Sequence, residues 1–145
     1  MPSTRRSRKP PEQPPVFFVD RSLGRLELPG ALRGMGFEVV TLWEAYGPAI
    51  EQRLDDDVWI VEQAEAGRIL LTRDRLRLPR HRDAILRSGA RVFRVARGAQ
   101  NVELQIAWVT TNVHRIIQRS RKGGPFIDVI LEKTVERDWP RERDS

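Results

Sequence analysis

Apolar residues in this chain come in two patterns. Short unbroken runs stand at Val16–Val19 (VFFV) and in RILLT from Arg68 to Thr72, and FIDVIL from Phe126 reads as a last strand. Unbroken runs suit strands buried on both faces, as in a parallel sheet covered by helices. FEVVTL, from Phe37, reads as a further strand, and ARVFRV, from Ala90, alternates apolar positions with arginine, which predicts a strand nearer a sheet edge. Between these runs the apolar spacing is helical. Leu28, Leu32 and Met35 predict a helix closed by Gly36; Val58, Trp59, Ile60, Val61 and Ala64 predict another closed by Gly67; Ala84, Ile85 and Leu86 mark a short one. Val102, Ile106, Val109, Val113 and Ile116 predict one long amphipathic helix over a sheet face, stopped by Gly123-Gly124-Pro125.

Strands alternating with helices predict an α/β fold: a mainly parallel central sheet between helical layers. Trp43 to Asp55 predicts a loop or a single helical turn, because Gly47-Pro48 interrupts it. Residues 1–15 mix five prolines with Arg5, Arg6, Arg8 and Lys9 and predict a disordered basic tail; 16–131 form the domain; 132–145 read as a charged C-terminal tail with little to bury. No internal repeat is present.

Composition narrows the chemistry. With 145 residues, 39% of them hydrophobic, the chain suits one domain with a real core. There is no cysteine, which excludes disulfides, thiolate nucleophiles and cysteine-bound zinc. His81 and His114 are not spaced as a zinc pair, and neither a Gly-rich phosphate loop nor a Ser-His-Asp order is found. No run approaches the roughly 20 apolar residues of a membrane span, so the expectation is a soluble, cytoplasmic protein without membrane contact. Lys and Arg total 26 against 20 Asp and Glu, a net charge of +6, and most of the cations are arginine. Guanidinium suits bidentate phosphate contacts, so the balance points to a polyanionic partner.

The acids hold the most specific signal. Asp20 follows VFFV directly, Asp74 follows RILLT, and Asp55, Asp56 and Asp57 stand at a helix start. In open α/β sheets functional groups gather beyond the carboxyl ends of the strands. Carboxylates gathered there repel one another unless a cation lies between them, and Mg²⁺ or Mn²⁺, which takes few carboxylates plus waters and phosphate oxygens, is the natural one. Such ions activate water and stabilise the leaving oxygen of a phosphodiester. Arg73, Arg75 and Arg80 flank Asp74 and Arg21 follows Asp20, cations suited to holding the phosphates on either side of the scissile one. The ordinary reading is that aspartates after strands start turns and one of the three at the helix start is its cap. Glu44 and Glu62 are further acids with a solvated alternative, and Asp128 reads as a turn or edge residue. Trp59 falls on the apolar helix face and belongs to the core, while Trp43 and Tyr46 stand between core and base-stacking roles.

Taken in order, VFFVDRSLG, GFEVVTL, DDVWI, GRILLTRD, GARVFRV and GGPFIDVI resemble the PIN-like nuclease domains of VapC-type toxins over nearly all of Val16 to Ile130. The resemblance implies a three-layer α/β/α sandwich and a Mg²⁺- or Mn²⁺-dependent ribonuclease centre. It also implies an RNA substrate, a cognate antitoxin that holds the enzyme inactive, and a homodimer. The family's first acid matches Asp20 and its last Asp74; the middle one falls on Asp56, counted back from Trp59, with Asp57 as the alternative. Larger members place a fourth acid on the middle helix, for which Glu44 is the positional candidate. Two other readings stand beside this one: a catalytically inactive PIN-like module that binds RNA or protein, and a phospho-acceptor receiver. The receiver lacks a lysine after a central strand.

Overall fold

The computed structural model describes residues 13–51 and 53–141. The proposed N-terminal tail therefore lies largely outside the described residues. The strands are β1 (Val16–Val19), β2 (Glu38–Thr41), β3 (Ile69–Thr72), β4 (Arg91–Val95), β5 (Phe126–Ile130) and β6 (Val135–Trp139). The helices are α1 (Glu27–Gly34), α2 (Leu42–Tyr46), α3 (Pro48–Glu51), α4 (Asp56–Glu65), α5 (Pro79–Ser88), α6 (Val102–Thr111) and α7 (Val113–Ser120). One six-stranded sheet runs in the order β2-β1-β3-β4-β5-β6, parallel except for the last pair.

The unbroken apolar runs are explained by burial on both sides. On one face Phe17, Val19, Leu71, Phe93 and Phe126 pack with Leu28 and Leu32 of α1, Val109 of α6 and Ile116 of α7. On the other, Phe18, Leu70, Val92 and Ile127 pack with Trp59 and Ile60 of α4 and Ala84 and Ile85 of α5. The result is the expected α/β/α sandwich. Every residue of β3 is buried, and each large apolar side chain removed from water contributes roughly 1.5–3 kcal/mol before entropy is counted.

Several elements differ from the sequence reading, each for a local reason. β4 is central, not near an edge. Its arginines leave the core sideways: Arg91 donates to Gly67 O at 2.6 Å and Ser120 O at 3.2 Å, and Arg94 Nε donates to Asp138 at 2.8 Å. The long helix is two, α6 and α7, divided at Asn112. That buried amide donates to Trp108 O and Leu131 O, both at 2.8 Å, and so ties the break to the chain after β5. The stretch from Trp43 forms α2 and α3. Within the described part of the charged end, to residue 141, the chain is not a tail: β6 pairs antiparallel with β5 and buries Val135. Asp128 is neither turn nor edge but a buried residue of β5, held by Arg119 at 2.6 Å and Arg137 at 2.7 Å.

β1 has β2 on one side and β3 on the other, which makes the carboxyl ends of β1 and β3 the point where strand order reverses. At the opposite edge Gly67, with φ of +80°, turns the chain from α4 into β3. The start of α4 consequently returns to the edge where β1 and β3 end.

Candidate active site

Asp20 occupies the switch point. It is 1% exposed, and its backbone N–H continues the ladder to Leu71 O at 3.0 Å. Its carboxylate accepts from the Arg21 N–H at 2.7 Å, from Ser22 Oγ at 2.8 Å and from Thr72 Oγ1 at 2.8 Å. The same hydroxyls reach the next acid. Thr72 Oγ1 accepts the Asp74 N–H at 3.1 Å, and Ser22 Oγ accepts the Arg73 N–H at 2.9 Å. Asp20 and the backbone N–H of Asp74 thus share the Thr72 hydroxyl, while the Ser22 hydroxyl ties Asp20 to the N–H of Arg73.

Asp56 opens α4 from above. Its Oδ1 accepts the indole N–H of Trp59 at 2.9 Å, and its Oδ2 lies 3.6 Å from His81 Nε2 of α5. Capping falls elsewhere, although weakly: Asp55 holds the N-cap position with no side-chain cap bond, and only its carbonyl accepts, from Val58 N–H. Asp57 is directed aside. One of its carboxylate oxygens is buried without a hydrogen bond, and the nearest cation is Arg80 at 3.9 Å.

The three acids feel one another. Burial pushes the Asp20 carboxyl up to about 6; the Ser22 and Thr72 hydrogen bonds oppose this, and the charges of Asp56 and Asp74 add to it. Asp74 is raised by burial and then by Asp56, with Arg21, Arg97 and His81 acting in the opposite direction. Crowded oxygen donors of this kind fit a hard divalent ion, which relieves their repulsion. The spacing is open, however: among the described residues no three acidic or imidazole groups close around a common point. That suits an ion held by one or two carboxylates, with water filling the rest of its shell.

The remaining sequence candidates divide. Arg21 stands beside Asp74 electrostatically and also donates to Leu54 O at 3.3 Å. Arg73 is spent on structure, donating to Arg97 O at 3.2 Å and Ala99 O at 2.9 Å. Arg75 is half-buried and makes no ion pair among the described residues, and Arg80 is exposed beside Asp57. Glu44 builds a capping box with Thr41 and binds Arg33 at 2.7 Å, so both its oxygens are engaged away from the three aspartates. Glu62 accepts from Tyr46 Oη at 2.7 Å, which ties up that ring's polar end. Trp59 is fully buried against Phe18. The residues that sequence reading missed are Ser22, Thr72, His81 and Arg97. Ser22 and Thr72 each stand two positions from a strand-end acid; His81 and Arg97 carried no such signal, since they come from elements distant in the chain.

The sequence matches the model of a family described as PIN like domain over residues 15–97. It is also 35% identical over 123 residues, 83% of this chain and 89% of the other, to a Mycobacterium tuberculosis protein named "Putative ribonuclease VapC45". The chain belongs to the PIN-like domain family and is of VapC type. No solved structure matches it at a significant level. In this PIN-like domain the family match takes in every element from β1 to β4, with all three aspartates. α6, α7, β5 and β6 lie beyond it.

Proposed function

We propose that this VapC-type PIN-like domain is a metal-dependent endoribonuclease, the toxin of a toxin–antitoxin pair, which hydrolyses RNA phosphodiesters at Asp20, Asp56 and Asp74. The observation that carries the reading is the convergence of Asp20, Asp56 and Asp74 at the topological switch point, where the charges of Asp56 and Asp74 add to the rise that burial gives the Asp20 carboxyl. The similarity to a protein named as a ribonuclease supports the substrate class. Mg²⁺ or Mn²⁺, when bound, supplies Lewis-acid neutralisation of the phosphodiester charge and a water of lowered pKa. The chain's own residues do the rest. Thr72 and Ser22 fix Asp20, Trp59 fixes Asp56, and Arg21 and Arg97 offer cations beside Asp74 for the flanking phosphates. A cognate antitoxin, a homodimer and a cytoplasmic site of action belong to the same proposal. Among the described residues, no helix is long and apolar enough to cross a membrane.

The test is cleavage of labelled RNA with Mg²⁺, with Mn²⁺ and with EDTA, by the wild type and by Asp20→Asn and Asp74→Asn. Cleavage that needs the ion and is lost in both folded variants is expected; cleavage retained in both would overturn the proposal. The open spacing of the acids favours one further reading, a PIN-like module that binds RNA or protein without cutting. It would be recognised by binding that survives EDTA with no turnover under any metal.

A further inference from the structure

Away from the aspartates, a recess of about 360 Å³ lies between α7 and the start of β6, lined by Arg115, Gln118, Arg119, Lys122, Thr134 and Val135. Arg115, Arg119 and Lys122 are spaced four and three residues apart, which puts them on one face of the helix and the turn after it. None of the described residues gives Arg115 or Lys122 a carboxylate partner; Arg115 touches only the side-chain oxygen of Asn112, at 3.3 Å.

Arg119 is different, because it is built in. Asp128 points from β5 toward the helical layer, in line with the core residues Phe126 and Ile130, and is 0% exposed. It accepts Arg119 Nε at 2.6 Å through one oxygen and Arg137 Nε at 2.7 Å through the other. Arg137 also lies over the Phe126 ring at 4.8 Å. Both guanidiniums are therefore anchored through Nε while their side chains stay 31% and 42% exposed, and of the two Arg119 lines the recess. Guanidinium groups held in place lose less freedom on binding and match phosphate oxygens in a planar fork. Glu136 alternates to the other side of β6 and does not neutralise them.

We propose that this recess binds phosphate groups of RNA as a second contact for the strand, outside the carboxylate centre. The inference rests on the nuclease reading and extends it to how much RNA the protein holds. RNA is favoured over an acidic protein segment by the lining: every wall residue but Val135 is polar or charged, whereas protein interfaces bury an apolar or aromatic core.

The test compares the wild type with an Arg115→Gln/Lys122→Gln double variant of the full chain. Both positions are exposed, so thermal unfolding should coincide. Binding is read by fluorescence anisotropy in EDTA, with a short labelled single-stranded RNA and one several times longer, over a salt series. The expected result is about a 10-fold loss for the long RNA, with the slope of log K against log salt reduced by about 1.4, since each lost phosphate contact contributes about 0.7 on a single strand. Affinity for the short RNA, and its cleavage with metal, should stay as in the wild type. Unchanged affinity for the long RNA, or an equal loss for both lengths, would overturn the inference while leaving the nuclease proposal standing. Loss of antitoxin binding with RNA binding intact would overturn it too and assign the recess to the protein partner. A wild type that neither binds nor cuts RNA would remove both proposals together.

Discussion

Trp59 and Asp56 share a hydrogen bond of 2.9 Å across one turn of α4, from the indole N–H to Oδ1. The tryptophan is fully buried against Phe18, with ring centroids 5.3 Å apart. A core residue therefore reaches out of the hydrophobic layer to orient an acid at the sheet edge. Trp59→Phe keeps a ring in that layer and removes the donor. The expected stability loss is about 1–2 kcal/mol, and RNA cleavage should fall about 10- to 100-fold as Asp56 loses its orientation. Denaturant titration alongside initial cleavage rates checks both, and full activity would show that the hydrogen bond does not position Asp56.

The triple aspartate can be resolved by substitution. Asp56→Asn should abolish metal-dependent cleavage. Asp57→Asn should leave it within several-fold, since Asp57 lies 3.9 Å from Arg80 and it is Asp56 whose charge acts on Asp20 and Asp74. Cleavage assays at saturating metal read the difference, and the reverse ranking would move the site by one residue.

Asp20 gives the folded protein a specific pH dependence. Its pKa is raised from 3.8 to about 6, so between those values the folded state binds more protons than the unfolded one. Its contribution is fully present below the unfolded value and is lost as pH rises through about 6, a change of at most about 3 kcal/mol. Asp74, raised by burial, acts in the same direction. Urea midpoints measured in EDTA should fall between about pH 4 and pH 7, and Asp20→Asn should flatten the trend. Equal wild-type midpoints would count against a desolvated Asp20.

The ion pairs of Asp128 and that of Glu44 are similar in length but should differ in worth. Asp128 is wholly buried and clamped by two arginines, whereas Arg33 and Glu44 are each 42% exposed. Asp128→Asn is expected to cost about 2–3 kcal/mol, because a buried charge network is broken. Glu44→Gln should cost under about 1 kcal/mol, consistent with a surface pair plus a cap, and should leave cleavage intact. Chemical denaturation of both variants tests the contrast.

The sequence alone determined the alternation of strands and helices, because strands buried on both faces of a parallel sheet favour continuous apolar runs, as in VFFV and the ILL of ILLT. It also singled out Asp20, directly after VFFV, and Asp74, two residues beyond ILLT, as acids near the ends of these strands. The tertiary structure decided what depends on partners distant in the chain. Arg91 and Arg94 looked like edge residues until Gly67, Ser120 and Asp138 were found to take their charge off a central strand. For Arg73, read as an RNA contact, the fold adds that its guanidinium donates to the carbonyls of Arg97 and Ala99. β6 and Asp128 are legible only together: a charged segment becomes a strand because β5 offers an open edge, and a charge enters the core because Arg119 and Arg137 meet it there. Local spacing fixes periodicity and chain ends. Whether a charge is a ligand, a clamp or a solvated group depends on what faces it, and only the packed fold specifies that.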